Sequence, residues 1–281
     1  MNSKHKLVHF LGEDHYKSPD EWKIYVNNLT KDFSIVLVEE DKEIELKDMD
    51  LLPKEIDQVS NLKLNIDYNT ENSVLYKINS SNKIKFDIRN SLGVPIDPNL
   101  SIIYINFIMK SLPDNISEQN NIDKLDEHLE RVESTFKSML YNNYLHKLKY
   151  PSEYYLNEIY TLKSKLSNEE YLYIINLYQD HNKLCQQKSL EIMNNQFFIN
   201  EYKSDIYEKI NNVIIDLMFK LPGIYADIYT LGLIIYYLKD NNRILVVSGL
   251  AHSNYLKEKL ELLDLSVNIK LSVFNDKKTW Y

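Results

Sequence analysis

The sequence predicts an α/β protein whose mostly parallel sheet is built from both ends of the chain, with a long helical insertion between them. Three observations lead there. Short apolar runs rich in β-branched residues occur near the start (Lys6 to Leu11, Phe33 to Val38) and again near the end (Arg243 to Ser248, Val267 to Val273). Between about Asn99 and Leu221, apolar residues instead recur three and four apart, as in Leu125, Leu129, Val132, Phe136 and Leu140. Glycine is absent between Gly93 and Gly223, which suits helices joined by short turns. We therefore expect one α/β domain over 1–281 containing a helical insertion over 99–221.

The elements follow in order. Lys6 to Leu11 is a strand closed by Gly12, and Pro19 stands where it can open a helix through Trp22, Ile24, Tyr25 and Leu29. Phe33 to Val38 is continuously apolar except for Ser34, the pattern of an interior parallel strand covered on both faces. Asp41 to Ser81 is less regular, with strand candidates at Leu62 to Ile66 and Val74 to Ile78, and a clearer one at Ile84 to Ile88. Pro151 and the Ser167-Asn168 pair divide the helical region. Asp227 to Leu238 is a helix apolar almost all round, hence buried, and Asn254 to Leu263 is an amphipathic helix between the last two strands.

Composition narrows the function. With 281 residues, 44% hydrophobic and 26% charged, the chain can bury a large core, which excludes a disordered tail. A net charge of −8 opposes a broad grip on phosphate backbones or anionic lipid, so neither nucleic acid nor membrane is an expected partner. The one cysteine, Cys185, excludes an intramolecular disulfide framework and a cysteine-based zinc cluster. The first ten residues lack a signal-peptide core, and Gly223 to Leu238 is too short to span a bilayer, so a cytoplasmic protein is expected. There is no GxGxxG or P-loop pattern to support nucleotide chemistry.

Two of the five glycines follow a predicted strand and precede a histidine by three residues: Gly12-Glu13-Asp14-His15 and Gly249-Leu250-Ala251-His252. A glycine there allows a sharp exit from the strand, with positive φ or close backbone approach, and displays the histidine at the strand's carboxyl end. Ligands of open α/β sheets bind beyond those ends. Four strands deliver reactive side chains there: Glu13 and His15, Glu39 and Glu40, Asp87 and Arg89, and His252.

The segments HFLGEDHYKSP, IVLVEE and ILVVSGLAHSNYL resemble the ChaN-like, erythromycin-esterase-like and Tiki/TraB superfamily, with its paired GxxH-type motifs and intervening glutamate. The first motif is most similar to the ChaN-like branch. KIKFDIRNSL and ADIYTLGLIIYYL also resemble segments of large-DNA-virus proteins. The superfamily resemblance covers about 50 residues at the chain ends and implies two histidines and a glutamate in one pocket, serving ester hydrolysis, metal-dependent proteolysis, or haem or iron binding. By position Glu13 and His15 match the first motif, Glu39 the acidic strand end, and His252 the second motif.

From the residues themselves two mechanisms are open. His15, His252, Glu13 and Glu39 could hold a divalent metal that activates water. Alternatively His15, oriented by Glu13 or Glu39, could act as a metal-free general base. Arg89 could bind an anionic group or a developing oxyanion, although it could equally pair with Asp87 on the same strand face. The expected activity is a hydrolase of ester or amide bonds in a small molecule or peptide. The alternatives are a non-enzymatic binder of haem, iron or a small metabolite, and an interaction module on an inactive scaffold. His9 is read as a core histidine, Glu40 as solvent-facing, and Asp227 as favouring its helix dipole. His128, His146, His181 and Cys185 are read as surface or packing residues, as are the tyrosines of the helical region.

Overall fold

The computed structural model describes residues 6–13, 20–41, 78, 80–87, 151–194, 220–263 and 265–273, with isolated positions at 130, 133, 134, 137, 212 and 216. His15, Arg89, His128, His146, the strand candidate at Leu62 to Ile66 and the Leu125 to Leu140 stripe lie outside the described residues, as does all of the Val74 to Ile78 candidate except Ile78.

The strands are β1 (Lys6–Glu13), β2 (Ile35–Asp41), β3 (Lys83–Asp87), β4 (Arg243–Gly249) and β5 (Val267–Val273). They form one five-stranded sheet in the order β3-β2-β4-β1-β5, and every pairing is parallel. The helices are α1 (Asp20–Thr30), α2 (151–162), α3 (Asn168–Asn194), α4 (Leu221–Tyr237) and α5 (Leu250–Glu261). The protein is thus an α/β fold in which both chain ends supply the sheet. Among the described residues no helix is long and apolar enough to cross a membrane.

Parallel strands need crossover connections, and covered faces demand apolar residues of both parities. On one face Leu11 of β1, Val36 and Val38 of β2, and Leu245 and Val247 of β4 pack with Trp22 and Val26 of α1. Val8, Phe10, Leu37, Ile244 and Val246, of opposite parity, are equally buried. On that second face α5 lies against β1, β4 and β5. The glycine of the first motif is explained here. A Cβ on Gly12 would stand 2.8 Å from Leu250 Cδ1 and 3.2 Å from Leu250 Cα, so its hydrogen lets α5 start close against β1. Close approach, rather than positive φ, is the reason, and Gly249 likewise has an ordinary extended backbone at φ −56 and ψ 151.

The chain divides into two compact units, one of residues 1–93, 157–175 and 226–281, the other of 94–156 and 176–225. The second has a polar seam within its helices. Tyr178 and Ser152 share a buried hydroxyl hydrogen bond, Tyr225 donates to Asn182 Oδ1 at 3.0 Å, and His181 Nε2 donates to the Leu221 carbonyl at 2.8 Å. His181 and Cys185 are therefore buried packing residues, not surface ones. Burial pushes the Cys185 thiol up to about 11, which keeps it protonated and poorly nucleophilic.

His9 is the core histidine of the first unit, 2% exposed, with Nε2 sharing a 2.9 Å hydrogen bond with Ser272 Oγ. Burial, with Lys270 and Arg243 nearby, lowers its pKa from 6.5 to about 4. In that interval the unfolded chain binds a proton that the folded chain refuses. Stability from this group is therefore complete above pH 6.5, falls as the pH drops towards 4, and levels off below. The loss is about 3 kcal/mol over the interval. Urea denaturation across this range should show it, and His9→Gln, which keeps a partner for Ser272, should flatten the dependence.

Candidate functional site

The topology singles out one edge of the sheet. β1 and β4 are neighbours, yet the helix after β1 covers one face and the helix after β4 covers the other. Where connections diverge in this way the carboxyl ends of adjacent strands open a crevice. The two glycine motifs leave the sheet at this point side by side, with Gly12 paired to Ser248 and Glu13 paired to Gly249.

β2 flanks β4 on the other side in the register Val36↔Leu245, Leu37↔Val246, Val38↔Val247. The next residue is Glu39, which shares the Leu37 face and lies level with the end of β4. It accepts the Gly249 backbone N–H on Oε2 at 2.6 Å. Gly249 caps α5, so the carboxylate sits at a helix N-terminus, where N–H groups and the helix dipole favour negative charge. α5 begins four residues earlier than its apolar pattern suggests, directly after β4, and this places His252 in its first turn.

His252 lies between two carboxylates. Its Nδ1 is 2.8 Å from both Oδ1 and Oδ2 of Asp227, on α4, and its Nε2 is 3.3 Å from Glu39 Oε1. The side chains of Asp227 and Glu39 are 2% and 4% exposed, whereas that of His252 is 17% exposed, so within this trio only the ring reaches solvent. Tyr255, one turn further along α5, is held in its neutral form by burial and by the negative charge of Asp227, with Tyr173 and Glu258 adding to the effect.

Two buried carboxylates thus face the two ring nitrogens. An N–H at Nδ1 satisfies Asp227, and an N–H at Nε2 would point at Glu39 Oε1, whose other oxygen accepts from Gly249. The arrangement sets a titratable ring where an incoming molecule can reach it.

The other candidates are placed differently. Glu13 is buried at the end of β1, and strand alternation puts it on the Leu7 and Leu11 face, opposite to Glu39. Asp87 is buried at the end of β3, paired in register with Asp41. The β2–β3 register shifts between Val38 and Asp41, and the irregularity falls on Glu39 and Glu40. Glu40 is not the solvent-facing residue expected. It is bound by Lys83 and, at 2.9 Å, by Lys85, and these bonds hold its carboxyl below the ordinary range against burial, which raises it. Asp227 is the residue that sequence reasoning undervalued. Its signal was a carboxylate in an otherwise apolar helix, since a buried charge requires a partner.

A metal would need donors that are otherwise uncommitted. Among the described residues no three or more His, Cys, Asp or Glu side chains are grouped to hold a metal ion. Both nitrogens of His252 already face carboxylates, so the described residues alone do not fit a divalent ion. No family model, curated protein or solved structure matches the chain.

The close approach at Gly12 gives a test of how the site is seated. Gly12→Ala should destabilise the protein by about 1–3 kcal/mol in chemical denaturation, because one of the colliding atoms is the backbone of Leu250. Leu250→Ala in the same chain removes the Cδ1 collision and should recover part of that loss.

Proposed function

We propose that this chain is a hydrolase of ester or amide bonds, in small molecules or peptides, working at the carboxyl edge of β1, β4 and β2. The supporting observation is the part-exposed His252 ring set between two buried carboxylates, Nδ1 2.8 Å from Asp227 and Nε2 3.3 Å from Glu39 Oε1, at the point where the connections of neighbouring strands diverge. General acid–base catalysis needs a positioned group that can give a proton to a leaving oxygen or nitrogen and later take one back. In this reading His252 is that group, and Glu39 holds the ring and balances its charge. His15, from the adjacent motif, is the candidate to prepare the attacking water, and Arg89 is the candidate for an anionic part of the substrate. The resemblance to the ChaN-like and erythromycin-esterase-like superfamily agrees with this use of the two motifs.

The commitment of both His252 nitrogens favours the metal-free form of this reaction over a metal-assisted one. Metal analysis of the wild type beside His15→Ala and His252→Ala separates the two: equal content in all three supports the metal-free form, and loss of a stoichiometric ion in the variants overturns it. The hydrolase reading itself is tested by a panel of ester and peptide substrates. His252→Ala and Glu39→Gln should each lower kcat by about 100-fold or more while circular dichroism shows the fold retained. Undiminished turnover in both variants would refute it, as would a protein that turns over nothing in the panel and binds haem at the same residues.

A further inference from the structure

We infer that Asp227 is the positioning residue of the site: it fixes the tautomer of His252, locking the Nδ1 proton so that Nε2 is the nitrogen through which the ring exchanges protons. This rests on the proposed role of His252 and adds a residue that neither glycine motif contains.

The geometry supports it in three steps. Both Asp227 oxygens lie 2.8 Å from Nδ1. A carboxylate with both oxygens turned to one nitrogen accepts and does not donate, so Nδ1 must hold the hydrogen. The ring is then oriented by α4, an element separate from the helix that bears it.

A purely structural explanation is weaker. Asp227 is 2% exposed on a helix whose other described residues are largely apolar, including Ile228, Leu231, Ile234 and Ile235. Burying a carboxylate there costs several kcal/mol, and an apolar residue would pack α4 without that cost. What the carboxylate adds is a fixed acceptor 25 residues before His252 in sequence. Glu39 of β2 faces the ring, and Tyr255 of α5 lies within the influence of Asp227, with Tyr173 of α3 and Glu258 of α5 acting on the same tyrosine. Tyr255 is neutral, and Glu39 faces the opposite ring nitrogen, so none of them replaces Asp227 at Nδ1.

Asparagine at 227 can present either its oxygen or its amide group, so it no longer dictates the tautomer. The ring is then free to keep its hydrogen on Nε2, where it donates to Glu39, and to leave Nδ1 bare. Such a ring has no lone pair on Nε2 with which to take a proton, the effect seen when the carboxylate of a catalytic triad is replaced by an amide.

The experiment is nitrogen-15 NMR of the histidine side chains in the full chain near neutral pH, with His252→Gln identifying the His252 signals. The expected wild-type result is a protonated Nδ1. Asp227→Asn should lose that signature and show a bare Nδ1 with protonated Nε2, whereas Asp227→Glu and Glu39→Gln should keep the Nδ1 proton. A bare Nδ1 in the wild type, or an Asp227→Asn spectrum identical to it, overturns the inference. If Asp227→Asn does not fold, the wild-type and Glu39→Gln spectra decide. With a turned-over substrate in hand, kcat should fall by about 10³-fold or more in Asp227→Asn and recover partly in Asp227→Glu. The NMR result stands without a substrate, so a failed hydrolase reading and a failed assignment of Asp227 give different patterns.

Discussion

The parallel register between β2 and β4 decides where chemistry can occur in this molecule. Because Val38 lies opposite Val247, Glu39 falls level with Ser248 and its carboxylate accepts the N–H of Gly249, where the helix that follows β4 starts. A slip of one residue would turn every side chain of β2 to the other face and put Glu39 among the apolar residues beneath α1. The register is strongly fixed because both faces are buried: Val36 and Val38 pack with Trp22 and Val26, while Leu37 fills the opposite side. Hydrophobic packing of the strand interior therefore places a carboxylate at its end to within hydrogen-bond distance. The catalytic proposal requires nothing from β2 beyond this.

The three described histidines show two solutions to burying an imidazole. His9 meets a serine hydroxyl and His181 a backbone carbonyl, both uncharged partners, and burial lowers the pKa of each ring. They are neutral fillers of polar seams. His252 instead meets two carboxylates from two other elements, with its own edge open to solvent. The same distinction separates neighbouring glutamates on β2. Glu40 is paired with two lysines of β3, whereas Glu39 accepts a backbone N–H on one oxygen and turns the other to the histidine. Charge alone does not mark a functional residue here; the identity of the compensating partner does.

The inner strands can be read from sequence because burial on both faces writes itself as continuous apolar runs, and the edge strand Val267–Val273 because its apolar residues alternate with polar ones. The strand order, and so the convergence of Glu39 and His252 from 213 positions apart (252 − 39), depended on one geometric assumption, that the strands bearing the reactive ends are adjacent and parallel. What pattern could not supply was contact between elements. The need for Gly12 comes from Leu250 packing against it, and no local turn preference would reveal that. The apolar pattern starts α5 at Asn254 rather than Leu250 because Leu250 and Ala251 are compatible with either a turn or a helix. Asp227 looked like a dipole-favouring residue at a helix start, yet α4 begins six residues earlier, at Leu221, so the aspartate is past the first turn and a dipole argument no longer accounts for it.

That shift in helix boundary changes what holds the site in place. Asp227 is fixed by the seating of α4, and α4 is seated where Gly232 meets Leu162 so closely that a Cβ would fall 2.6 Å from Leu162 Cδ1. Five residues of helix separate Gly232 from Asp227, about 7.5 Å along the axis, too short a stretch of hydrogen-bonded backbone to absorb a displacement. Tyr229, between them, donates to Glu158 at 2.9 Å, and Lys239, just after the helix, pairs with Glu170 at 2.9 Å, so the helix is also tied laterally within this stretch and beyond its end. The carboxylate on His252 Nδ1 is thus positioned by apolar and polar contacts on the far side of its own helix. The resting geometry of the ring is a property of how this helix packs as much as of the motif that bears the histidine.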